Sequence, residues 1–164
     1  MEEGNQHVDR NAQFEHINSR VAREMRVGNP VVSVDTKKKE LVENYKSDGR
    51  RLWKLELQRL ADELRFAISV CHFPPGTSKW NKVEHRLFSF ISTNWRGEPL
   101  TDYETIVRLI ANTTTATGLQ VTCRLDRRKY AVGRKISDEE MKRVKIVKDK
   151  FHGEWNYTLL PVSQ

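Results

Sequence analysis

The stretch from His72 to Phe88 (HFPPGTSKWNKVEHRLF) places a carboxylate where the surrounding pattern should exclude one. An apolar run, Phe66 to Cys71, stops at two prolines and a glycine, and the spacing then predicts a helix from near Ser78 to about Trp95. At roughly 100° per residue, Trp80, Val83, Leu87, Phe88 and Ile91 share one side of that helix, and Glu84 falls among them. Burying an unpaired carboxylate is costly, so Glu84 needs a cation. A Lys or Arg at the rim would serve, with the Glu head reaching out to it. The other reading is a carboxylate that holds a metal at the mouth of a sheet.

The elements around this stretch follow from simple patterns. Phe14, Ile17, Val21 and Met25 recur at helical spacing, and Gly28, Asn29 and Pro30 end that helix. Val31 to Val34 is a β-branched run suited to a buried strand, with Asp35 at its C-terminal end. Lys37, Lys38 and Lys39 follow as a basic turn, which reads equally as a solvated loop or a phosphate contact. Leu52, Leu55, Leu57, Leu60 and Leu64 predict a helix, and Phe66 to Phe73 a strand. Thr101 to Glu104 and Ser137 to Glu140 both read as capping boxes. Leu119 to Leu125 is strand-like, and Arg124 to Arg134 is densely basic, either a solvated hairpin or a DNA-backbone contact. Phe151 to Leu160 is an extended, aromatic-rich close in which Trp155 and Tyr157 are expected to anchor the core.

Composition narrows the classes. The 164 residues are enough for one domain, but 37% hydrophobic against 31% charged content makes for a lean core. A net charge of +7 favours an anionic partner, for which nucleic acid is the natural candidate. Cys71 and Cys123 stand in no metal-ligand spacing and fit a reduced, cytosolic protein. The N-terminus lacks the features of a signal peptide, and no apolar run approaches membrane-spanning length. His72 and His85 flank the Glu84 motif without partners for zinc, and no glycine-rich phosphate loop is present.

Several blocks resemble one family. Pro74, Pro75 and Gly76, then Asn81, then Glu84 are similar to the last catalytic block of DDE transposases. Val31 to Glu40, Leu52 to Asp62, His85 to Ser92 and Phe151 to Tyr157 more closely resemble the Rhodopirellula-type DDE transposases, also called the ISAzo-type insertion-sequence family, in that family's order. The resemblance implies a truncated RNase H-like α/β core, a reduced sheet flanked by helices. It also implies DNA as partner (insertion-sequence ends and target), a homo-oligomer when active, and Mg²⁺ or Mn²⁺ as cofactor. A bacterial cytoplasmic location, at the nucleoid when DNA is bound, follows from the same source.

The triad of that family is Asp, Asp, Glu. Asp35 matches the first carboxylate and Glu84 the third, so both are expected to be catalytic metal ligands. Lys37, Lys38, Lys39, Lys79, Asn81, Lys82, Arg127 and Arg128 are the expected DNA contacts. The second aspartate, which the family carries in a glycine-rich stretch before the Leu52 helix, has no counterpart. Asp35 and Glu84 stand only 49 positions apart, and Tyr45 to Trp53 joins the first block almost directly to that helix. The chain therefore resembles an internally deleted transposase, divided as 1–50 (N-terminal helix and first catalytic strand) and 51–164 (C-terminal half of the core), with the junction near 45–51. Asp48 is the nearest substitute, but the residues before it are polar and do not read as a strand. In the family's strand order, 3-2-1-4-5, the surviving strands one and five must pair with each other or leave open edges. Three functions stay open on this reading. The chain is an impaired enzyme of phosphodiester cleavage and strand transfer, a non-catalytic DNA-binding or oligomer-poisoning remnant, or a product that does not fold stably.

Overall fold

The computed structural model describes residues 8–34, 46–74, 77, 80–129 and 134–162, with 46–48 given by their backbone alone. They gather into two compact units, one drawn from 18–34, 77 and 80–129, the other from 9–17, 46–74 and 134–162. Helix α1 (Arg10–Arg26) forms on the predicted spacing. It closes through Gly28 at φ +81°, with the Asn29 N–H reaching back to the Glu24 carbonyl at 2.9 Å. Ile17 is buried as expected, whereas Met25 is exposed.

The second unit is a small antiparallel sheet with helices. Helix α2 (Lys46–Leu64) is followed by β1 (Ile68–Cys71), a short α5 (Asp138–Lys142), β2 (Ile146–Lys148) and β3 (Asn156–Leu159). The strand order is β1-β3-β2. Val70 and Lys148 both stand opposite Tyr157, and Ile68 and Ile146 both stand opposite Leu159, so these six side chains share one face. Helix α2 covers that face with Leu55, Gln58 and Ala61, and Tyr157 and Leu159 are fully enclosed. Buried Gln58 donates to the Leu160 carbonyl and accepts from the Lys145 N–H, both at 2.8 Å, which fixes the strand ends to α2. On the other face, Gln13 of α1 and Asn156 exchange paired amide hydrogen bonds at 2.8 Å. Gln13 also donates to the His72 carbonyl, and Asn156 to that of Phe151. Helix α5 starts on the predicted capping box of Ser137 and Glu140.

The first unit is helical. A π-helical turn (Glu84–Phe88) runs into α3 (Ser89–Asn94), which packs on α4 (Tyr103–Ala111) through buried Ile91 and Leu109. No helix among the described residues is long and apolar enough to cross a membrane.

Several expectations need correction. Val31 to Val34 is not a buried strand: it pairs with no strand among the described residues, and Val32 is 78% exposed. Strand pairing needs a partner edge, and the expected strand five, seen as β1, instead pairs with β3. Leu119 to Leu125 forms no strand either. The cap of α4 is Asp102, not Thr101, because the Asp102 carboxylate accepts from the Thr105 N–H at 2.6 Å. Trp80 lies in a tight turn ahead of the Glu84 helix and is 55% exposed, since that helix starts only after Asn81. The lean core is as expected: eight apolar side chains are buried among the described residues.

Candidate metal and DNA site

Asn81 organises the surroundings of Glu84. It is 3% exposed, and its Oδ1 accepts from the Val83 N–H at 3.3 Å, as a helix cap does. The same oxygen accepts from the Ser33 hydroxyl at 2.7 Å, while Nδ2 donates to the Val34 carbonyl at 3.2 Å. One side chain thus ties the segment ending at Val34 to the start of the helix that carries Glu84. The exposed valines of that segment join no sheet among the described residues; Asn81 and Ser33 hold the segment instead.

Three residues on, the helix widens. The Ser89 N–H donates to the Glu84 carbonyl, five positions back, so Glu84 opens a π-helical turn. Such turns are rare and concentrate at functional sites. The Glu84 side chain is half-buried, and among the described residues no Lys, Arg or His pairs with it. The rim cation that would have satisfied Glu84 is therefore not found among those residues. Carboxylate oxygens are the ligands that hard divalent cations prefer. Among the described residues no three metal-binding side chains come together.

The other expected residues divide into three groups. Asp35, Lys37, Lys38, Lys39 and Lys79 lie outside the described residues, and the peptide neighbour of Asp35 is Val34, held by Asn81. Asp48 belongs by its backbone to the first turn of α2, not to a strand end. Lys82 is exposed, and Asn81 is buried with its amide engaged by protein groups. Arg127 and Arg128 are exposed, but Arg127 meets Glu104 at 3.1 Å and Arg128 meets Asp126 at 2.5 Å. Sequence reading missed Ser33, whose role rests on a contact 48 positions away and leaves no local signal.

A half-buried glutamate opens a widened turn, and the helix that carries it is clasped to the segment that leads into Asp35. The chain matches the model of the Rhodopirellula transposase DDE domain over residues 1–52 and 47–161, and it belongs to that family. A transposase family implies DNA as the partner and, in general, a divalent metal. No curated protein and no solved structure matches the chain significantly.

Proposed function

We propose that this chain is a shortened DDE transposase core that keeps the first and third carboxylates, Asp35 and Glu84, and has lost the second. The observation that carries the reading is the Asn81 clasp, which joins the residues just before Asp35 to the helix just before Glu84. The two-segment family match, with both segments including residues 47–52, supports a junction there. The order of β1, a proline-containing segment and a glutamate-bearing helix supports an RNase H-like origin, with strand one uncovered because its neighbours are gone.

In this reading Asp35 and Glu84 hold one divalent ion, and Asn81 positions them without touching it. Bound metal would supply charge stabilisation at a scissile phosphate. In-line displacement at such sites uses two ions about 3.5–4 Å apart, each requiring its own carboxylate support. With two carboxylates the chain lacks the ligand for the second ion, and Asp48, inside a helix, does not replace it. The function is then binding of DNA without efficient cutting. Lys37, Lys38, Lys39, Lys79 and Lys82 supply backbone contacts near the site. Arg127 and Arg128 contribute less, because a phosphate must compete with Glu104 and Asp126.

Titration with Mn²⁺, followed by loss of the free-ion paramagnetic resonance signal, tests the site. One ion per chain is expected, lost in both Asp35→Asn and Glu84→Gln. Two ions of similar affinity, or binding that survives Glu84→Gln, would overturn the assignment.

A further inference from the structure

A second basic surface lies in the sheet unit, made from residues no motif singled out. Arg50 and Lys54 sit one turn apart on α2, a spacing that puts them on the same helix face. Lys148 stands directly opposite Tyr157 in the β2–β3 pairing, and the Lys54 ammonium lies 5.1 Å above the ring of that tyrosine. Tyr157 therefore joins the helix cation to the strand cation. It is fixed in turn, because its hydroxyl meets His72 Nε2 at 2.9 Å and the two rings lie 5.5 Å apart.

No carboxylate among the described residues pairs with any of the three cations. Three acidic groups on or beside these elements are engaged elsewhere. Glu56 meets Arg59 at 2.8 Å, Asp62 accepts from Gln58 and from the Val162 N–H, and Asp149 accepts from the Phe151 N–H. The cations instead act on one another and on His72. Burial first, then Lys148 and Arg50, lowers the Lys54 pKa; burial first, then Lys54 and Arg50, lowers that of His72. Mutual repulsion of this kind costs stability unless an anion relieves it.

We infer that Arg50, Lys54 and Lys148 form a DNA-backbone contact surface, with Lys54 held in place by Tyr157. A nucleic-acid backbone fits better than a single small anion. The cations come from a helix and a strand, and two of them are exposed. Arg127 and Arg128, which carry the more conspicuous basic sequence, are already matched by carboxylates. Three unmatched cations are the stronger phosphate site. This inference is independent of Asp35 and Glu84, since backbone binding needs no metal.

The test is fluorescence anisotropy of a short labelled DNA duplex of mixed sequence, in EDTA, across a salt series from about 50 to 200 mM. The variants are Arg50→Gln/Lys148→Gln and, for comparison, Arg127→Gln/Arg128→Gln; each pair is exposed, and melting curves establish that both variants fold. Each phosphate contact contributes about 0.9 to the slope of log K against log salt, so the first pair should lower the slope by roughly 1.8. At about 0.1 M salt that corresponds to a loss of roughly 60-fold. The second pair should lower the slope by well under half as much, because each of its arginines is already engaged by a carboxylate with which a phosphate must compete. Wild-type affinity and slope in Arg50→Gln/Lys148→Gln would overturn the inference. So would an equal loss in both double variants, which would mean that only total charge matters. Because EDTA removes any metal, failure here leaves the Asp35–Glu84 reading untouched.

Discussion

Replacing Asn81 with alanine should loosen the candidate site in a way that can be calculated. The substitution removes the helix cap on Val83, worth about 1 kcal/mol. It also removes the bonds from Ser33 and to Val34. Both partners are exposed, so water replaces much of what is lost, and each bond counts at the low end, about 0.5 kcal/mol. The total is about 2 kcal/mol, or roughly a 30-fold increase in the open population. Hydrogen–deuterium exchange should show this at the Val83 amide and in peptides covering residues 31–34. Peptides of the sheet unit should exchange as in the wild type. Asn81→Asp separates the two roles: it keeps the cap and the Ser33 contact but loses the Nδ2 donor to Val34. Its 31–34 peptide should loosen while Val83 stays protected. Unchanged exchange at both places in Asn81→Ala would refute the idea that this side chain joins the Asp35 segment to the Glu84 helix.

Other consequences follow from the sheet unit. Gln13→Ala removes three hydrogen bonds and leaves the buried Asn156 amide partly unpaired, so thermal or urea unfolding should show a loss of about 3 kcal/mol, whereas Ser69→Ala, at an exposed position of the sheet, should change stability by less than about 0.5 kcal/mol. His152 is held by Glu154 at 2.8 Å and Asp9 at 3.0 Å; the hydrogen bond to Glu154 first, then that to Asp9, raises its pKa above the ordinary histidine value. Its contribution is therefore complete below about pH 6.5 and lost as pH rises through the higher folded value. His72 has the opposite sign: its pKa is lowered by burial and then by Lys54 and Arg50, so its contribution is present above about pH 6.5 and lost as pH falls through the folded value. Melting temperatures of wild type and His152→Asn across this range should converge as pH rises; asparagine tolerates the φ of +46° at this position, so the comparison reports the charge. Curves that stay parallel throughout would refute a raised His152 pKa.

What the sequence disclosed was local. Helix α1 was legible from the spacing of Phe14, Ile17 and Val21, and its end from Gly28. The capping box at Ser137 was legible because its four residues contain the whole interaction. The cap of α4 was misplaced by one residue, since Thr101 and Asp102 are both good caps and only geometry chooses between them. Sheet pairing was not legible: Ile68 to Cys71 finds its partner at Asn156 to Leu159, and nothing nearby in the chain announces that. Polar core residues were equally hidden, because Gln13, Gln58 and Asn156 read as surface until their partners are known. Val31 to Val34 was misread for a different reason. Its β-branched pattern suits a covered strand, but a pattern cannot report that no described strand pairs with it. At the site, Glu84 was conspicuous by its place on an apolar face, whereas the widened turn beneath it breaks the very periodicity used to find it. The Arg50, Lys54 and Lys148 surface offered only a one-turn spacing on α2; Lys148 joins it through strand register alone.

If two carboxylates survive without the third, this transposase core binds DNA but does not cut it. Nicking of supercoiled plasmid in Mg²⁺ or Mn²⁺, beside Glu84→Gln and with folding established by a cooperative melt, tests it most directly. No open-circle product above that of the variant is expected. Nicking that disappears in Glu84→Gln would contradict it and mean that a complete metal site is assembled after all.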